Sequence, residues 1–123
     1  MAKKIRISAD QVQMVAELND SHTASLLWDK LPIKASVNTW GEEIYFEVPV
    51  KTEKENAVSV VEEGDIAYWP EGSSFCIFFG QTPMSTPTEI KPASPVNPLG
   101  RLFGDPKEWK AVKTGVDIEI NQA

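Results

Sequence analysis

Ile66-Ala67-Tyr68-Trp69-Pro70-Glu71-Gly72-Ser73-Ser74-Phe75-Cys76-Ile77-Phe78-Phe79 decides the architecture. Two runs rich in Ile, Tyr, Trp and Phe flank a Pro-Glu-Gly break, the composition of two strands joined by a turn. Proline presets φ at the second position of a type I turn, and glycine suits the fourth. Residues 66–69 form one strand, and residues 74–79 return as a second. The return strand is almost wholly apolar, so it belongs in the centre of its sheet. Alternation puts Phe75, Ile77 and Phe79 on one face and Cys76 and Phe78 on the other.

Upstream, Gly64-Asp65 breaks a short apolar run at residues 58–61, and the charged residues 51–56 read as a solvated loop. Residues 43–50 and 33–39 are strands, with Trp40-Gly41 as the turn between them. Ala24, Leu27, Trp28 and Leu31 change the period to i, i+3, i+4 and i+7, one helical stripe of about three turns. Ser21 or Thr23 supplies a capping oxygen. Pro32 ends the helix, because the residue before a proline is pushed out of the α region. Residues 3–8 and 11–18 alternate across the short Ala9-Asp10 turn and read as a hairpin.

Downstream, residues 81–98 hold five of the nine prolines, Pro83, Pro87, Pro92, Pro95 and Pro98. Proline lacks a donor N–H and fixes φ, so this stretch reads as a loop. Loops this long in small domains often carry function. Residues 99–103 resume a strand. Asp105 caps a short helix beginning at Pro106, and Val116, Ile118 and Ile120 alternate in the last strand. The chain is mainly β, with about eight strands, one longer helix and one short helix. Short strands with regular turns fit a barrel or a sandwich.

At 123 residues the chain has room for a single domain, residues 1–123, and for its core. With 41% hydrophobic and 24% charged residues, its composition suits a soluble globular protein rather than a disordered one. No run reaches the roughly 20 apolar residues of a membrane helix, and the start lacks the apolar run of a secretion signal. A net charge of −6 gives no global attraction for phosphate backbones, so nucleic acid is not an expected partner. One cysteine and one histidine make neither an internal disulfide nor an ordinary zinc site. The expected setting is the reducing cytoplasm, with no metal, cofactor or membrane.

Three blocks suggest a family: Asn38-Thr39-Trp40-Gly41-Glu42-Glu43-Ile44-Tyr45-Phe46, Gly64-Asp65-Ile66-Ala67-Tyr68-Trp69-Pro70, and Phe78-Phe79-Gly80-Gln81-Thr82-Pro83-Met84-Ser85. Together they resemble a small prokaryotic family with a cyclophilin-like fold, over nearly the whole chain. The resemblance implies a closed eight-stranded β-barrel with a helix at each end. Likeness to cyclophilins themselves is more distant. It rests on Thr23-Ala24 at the helix start, Ser74-Phe75-Cys76-Ile77 on the groove strand, and residues 100–112. The groove arginine of cyclophilins has no match, since Arg6 and Arg101 lie elsewhere and the counterpart stretch is residues 35–39. Their groove histidine is unmatched too. His22 precedes the helix, and Asn97 is the nearest counterpart. Phe75 or Cys76 takes the position of their groove phenylalanine.

Prolyl isomerisation needs an apolar pocket and a donor aimed at the imide nitrogen, because the catalyst must bind the twisted amide better than the planar one. Asn38 is the one catalytic candidate, weaker than a permanently charged arginine. The favoured function is binding of a peptide segment or small ligand in a surface groove beside the 81–98 loop. Trp40, Tyr45 and Phe75 would supply apolar contact, and Asn38, Gln81, Thr82 and Asn97 hydrogen bonds. The alternatives are weak peptidyl-prolyl isomerase activity in the same groove, or an assembly role for exposed aromatics, Trp40 foremost. Glu42, Glu43 and Glu47 read as solvated charges, Cys76 as an inert buried hydrophobe, and His22 as a surface residue. Glu62, Glu63 and Asp65 lack the spacing of a calcium loop. Composition sets no oligomeric state.

Overall fold

A computed structural model describes residues 3–123. The strands are β1 (Lys3–Ala9), β2 (Val12–Leu18), β3 (Ile33–Ser36), β4 (Asn38–Thr39), β5 (Glu43–Glu47), β6 (Asp65–Trp69), β7 (Ser74–Phe78), β8 (Asn97–Phe103) and β9 (Asp117–Gln122), with one α-helix, α1 (His22–Asp29). Among the described residues they form one antiparallel sheet in the order β3-β9-β1-β2-β8-β6-β7-β5-β4. The two edge strands are halves of one extended run, residues 33–39, interrupted only at Val37. Its first half pairs with β9 and its second with β5. The Val37 N–H donates to the Val116 carbonyl at 2.9 Å. One stretch of chain thereby brings both edges together, and the sheet becomes a barrel of eight extended runs. Closure removes the unpaired edges that would otherwise invite another chain.

The local signals act as their chemistry requires. Ser21 caps α1, its hydroxyl accepting from the Ala24 N–H at 3.1 Å. The helix has eight residues, shorter than its apolar stripe suggests, and Trp28 and Leu31 are only partly buried. Asp105 caps the short helix Pro106–Ala111, which is 3-10, by accepting from the Lys107 N–H at 3.0 Å. The Pro70–Gly72 break is a single 3-10 turn with Ser73 left-handed at φ 47°. Where β2 and β8 approach, residue 100 must be glycine. It has φ +150°, and a Cβ there would lie 1.8 Å from the Glu17 carbonyl oxygen.

The barrel interior is one apolar cluster. Ile5 and Ile7 of β1, Phe46 of β5, Tyr68 of β6, Phe75 and Ile77 of β7, and Ile118 and Ile120 of β9 fill it; Leu27 of α1 and Trp109 of the short helix join them. Fully burying side chains of this size contributes about 1.5–3 kcal/mol each.

A second, smaller cluster lies on the outside of the same sheet. Cys76 and Phe78 of β7, Ala67 of β6 and Val96 form its centre, with Tyr45, Val58, Trp69 and Ile90 against them. β7 is therefore buried on both faces, as a central apolar strand should be.

The cover on the outside comes from residues 81–96, a strap that crosses β7. Residues 58–61, the short apolar run, contribute two single bridges to it, Val58 to Val96 and Val61 to Ile90. The strap is ordered by its own polar side chains. The Ser85 hydroxyl accepts from the Thr82 and Lys91 N–H groups at 2.9 and 3.0 Å, and Thr86 accepts from the Glu89 N–H at 3.0 Å. Strand β8 begins at Asn97, two residues before its expected start. Pro98 is thus strand rather than loop, and it sits where the β6–β8 ladder shifts register, the kind of irregularity that tolerates a missing donor. No helix among the described residues is long and apolar enough to cross a membrane.

Candidate functional site

On the outer face the register assembles a cleft from residues far apart in sequence. Asn38 stands opposite Tyr45 across β4 and β5, and Tyr45 opposite Cys76 across β5 and β7. One step along, the Trp40 N–H donates to the Glu43 carbonyl at 2.9 Å, which sets Trp40 opposite Glu43, and Glu43 opposite Phe78. Trp69 of β6 meets Tyr45 edge to face, with ring centroids 6.2 Å apart at 82°. Its indole N–H donates to the Ser94 hydroxyl at 2.6 Å, tying the strap to the sheet. Pro92, Ala93 and Val96 roof the space between, leaving a cleft of about 100 Å³ lined by Trp40, Glu43, Tyr45 and Trp69.

Glu43 gives this cleft its character. The expectation of a solvated charge is overturned, since the residue is 5% exposed. Its Oε1 has no hydrogen-bond partner. Burial pushes its pKa up to about 7, against a smaller opposing effect from the neighbouring Cys76 thiol. The Cys76 thiol is itself raised, by burial first and then by the Glu43 charge, so it is no nucleophile at neutral pH. A carboxyl titrating near neutrality in an aromatic cleft can hold or release a proton, or act as a counter-ion. Glu42, one residue earlier, points elsewhere. It pairs with Lys110 at 3.1 Å, and that hydrogen bond holds its pKa below the usual carboxylate range. Glu47 is exposed, as expected.

The structure brings three of the expected site residues together. Asn38, Trp40 and Tyr45 share the outer face, with Asn38 exposed and the two aromatics half-buried. Phe75 is a correction. It points into the barrel, wholly buried and stacked on Phe46 with centroids 5.3 Å apart, because the strand's inward face carries Phe75 and Ile77. Cys76 takes the outward position.

Asn97 is corrected too. It is fully buried with its amide consumed: Oδ1 accepts from the Glu55 N–H at 2.8 Å, and Nδ2 donates to the Thr23 hydroxyl and the Glu53 carbonyl at 3.1 and 3.0 Å. Glu55 then accepts from the His22 and Thr23 N–H groups at the start of α1. The Thr23 hydroxyl bond, more than any other contact, lowers its pKa. Residues 51–56 are thus a bound loop rather than a merely solvated one.

Thr82 is buried inside the strap, bonded to Ser85 and to the Lys91 carbonyl, and Gln81 donates to the Thr86 carbonyl at 2.9 Å. Both build the strap and do not line the cleft. The acidic group around Gly64 is consumed by ion pairs. Arg101 holds Asp65 and Glu62, and Lys107 holds Glu63 at 2.9 Å. No cluster of His, Cys, Asp and Glu among the described residues could hold a metal ion.

The residues that sequence reasoning missed are Glu43 and Trp69, with the roof of Pro92, Ala93 and Val96. A signal for Glu43 existed. Period-two alternation puts it on the face of Tyr45, beside an outward Cys76 and Phe78 too apolar to be left in water.

The comparisons with known proteins agree with this architecture. The model of the Cyclophilin-like family matches residues 3–121. A hypothetical protein from Archaeoglobus fulgidus, solved in solution, is 39% identical, with a TM-score of 0.85 over 99% of this chain and 95% of that one. McbB, solved in complex with tryptophan, is 18% identical, with a TM-score of 0.71; the likeness covers 95% of this chain and 44% of McbB. No curated protein matches by sequence. With the family model spanning nearly every residue and the barrel closed as that fold requires, the chain belongs to the cyclophilin-like family.

Proposed function

We propose that this protein binds a small ligand, or one side chain of a peptide segment, in the outer cleft between β5, β6 and the strap. The observation that carries the reading is Glu43, a buried carboxyl with an unpartnered oxygen among Trp40, Tyr45 and Trp69. Polar groups inside proteins are hydrogen-bonded as a rule, so an orphan oxygen on a residue that lines a cleft is a group kept for something that arrives. At about 100 Å³ the cleft has room for about three waters at about 30 Å³ each, which suits a head group or side chain rather than a chain segment. The proposed setting is the cytoplasm, in keeping with a single buried thiol.

The test is a fragment titration followed by heteronuclear NMR of the indole N–H groups. Ligands should shift Trp40 and Trp69 and leave Trp109, sealed in the barrel, unmoved. Shifts confined to other surfaces, or none across a chemically broad set, would overturn the reading. One observation favours a second reading. Asn38 stands on the rim beside Tyr45, where a donor could face an X-Pro amide. A prolyl isomerase assay decides it: acceleration lost in Asn38→Ala would make the cleft catalytic, and no acceleration would remove the isomerase.

A further inference from the structure

We infer that the ligand of this cleft is a cation, an alkylated ammonium or a small guanidinium, seated among Trp40, Tyr45 and Trp69 with Glu43 as its counter-ion. The inference rests on the ligand-binding reading and gives it a chemical class.

Three aromatic rings and one carboxylate around a small cavity are complementary to a positive, partly apolar head group. Each ring carries a negative face that attracts cations, and the attraction grows when water is excluded. A neutral apolar ligand would satisfy the rings and leave the Glu43 carboxylate unpaired in a dry site, which is costly. An anion would be repelled by Glu43 and by the net charge of −6.

The protein supplies no cation of its own. Among the described residues, the ion pairs join Lys91 to Glu89, Arg101 to Glu62 and Asp65, Lys107 to Glu63 and Lys110 to Glu42, and none reaches Glu43. The titratable groups facing it are Tyr45 on its own strand and the Cys76 thiol on β7. The strap offers only Pro92, Ala93 and Val96, β6 offers Trp69, and the β4 side offers Trp40. Without ligand, the carboxyl relieves its burial by keeping a proton up to about pH 7. A cation would take that proton's place, so binding below neutrality releases one proton and binding well above it releases none.

The experiment uses the whole chain and two cationic probes, choline and methylguanidinium. A neutral isostere of choline, with carbon in place of nitrogen, is the control. Binding is read at the Trp40 and Trp69 indole signals, and proton release by calorimetry in buffers of different ionisation enthalpy. At about pH 8 at least one cation should bind about tenfold tighter than the neutral isostere, and Glu43→Gln should cut that preference to about twofold, the share the rings supply, by weakening the cation and sparing the isostere an unpaired carboxylate. At about pH 6 close to one proton should leave per cation bound. Trp40→Leu should weaken both, and the cation more than the isostere, because the ring supplies cation–π attraction as well as apolar contact.

Equal affinity for cation and isostere would overturn the charge assignment and leave the cleft reading standing. Cation preference that stays near tenfold in a folded Glu43→Gln variant would overturn the role of Glu43. If the cations and the isostere all leave both indole signals unmoved, the cation inference is overturned; the fragment titration decides the cleft reading separately.

Discussion

Asn97 on β8 and Glu43 on β5 are both buried polar side chains, and they are buried in opposite ways. The Asn97 amide is matched on both sides, by a loop N–H, the Thr23 hydroxyl and a loop carbonyl, so it locks residues 51–56 against the start of α1. Glu43 is held almost as deeply, and Oε1 meets nothing. The first arrangement is how a fold fastens a loop. The second is a standing cost, which a molecule keeps when the group serves something beyond the fold. Burial alone therefore does not mark a site; burial with an unmet hydrogen bond, on a residue that lines a cleft, does.

The largest expected effect breaks the saturated side. Asn97→Ala strands the Glu55 N–H and the Glu53 carbonyl and should destabilise the protein by about 3 kcal/mol, read by urea unfolding. A cost below about 1 kcal/mol would mean water replaces the amide easily, and the contrast would lose its meaning.

Glu43→Gln tests the other side and should have the opposite sign at alkaline pH. The carboxyl's folded pKa of about 7 exceeds its ordinary 4.5, so the folded state binds the proton more tightly than the unfolded state. The stability this confers is fully present below about pH 4.5 and is lost as pH rises through 7, a fall of about 3 kcal/mol by pH 8. Unfolding across that window should show the decline in the parent and little of it in the variant. The variant should be the more stable by about 2 kcal/mol at pH 8, part of the gain being offset by burying its amide. A parent whose stability is flat between pH 5 and 8 would sink this account of Glu43.

A smaller effect is expected at the roof. Ser94→Ala removes the acceptor of the Trp69 indole and should cost about 1 kcal/mol, with faster amide exchange in residues 90–96 as its signature. Smallest is Asn38→Ala, an exposed rim residue, which should change the melting midpoint by the equivalent of less than about 0.5 kcal/mol. That makes it a clean control for the isomerase assay.

Much of the fold was legible because its signals are local. The Ser21 and Asp105 caps, the Pro70–Gly72 break and the apolar run of β7 each act within a few residues of where they are written. Boundaries slipped where tertiary contacts decide: β8 starts at Asn97 rather than Leu99, and α1 ends at Asp29, short of its apolar stripe. Of the site, Asn38, Trp40 and Tyr45 were legible as one face of the β4–β5 pair. Phe75 was misplaced because alternation sorts residues into two faces without saying which faces inward. Gln81 and Thr82 have polar side chains suited to a ligand, and the strap uses them on itself.

The sequence by itself determined the β class, the two hairpins, the helix N-caps and the two-faced apolar character of β7. These follow from side-chain period, from φ limits at proline and from capping oxygens, all short-range causes. Only the tertiary structure decided that residues 33–39 serve both edges of the sheet, that Asn97 is a fastener, and that Glu43 is buried. That last outcome needs a roof from Pro92, Ala93 and Val96, some fifty residues along the chain. A carboxylate's pKa depends on what excludes water from it, and that is set by neighbours in space rather than in sequence.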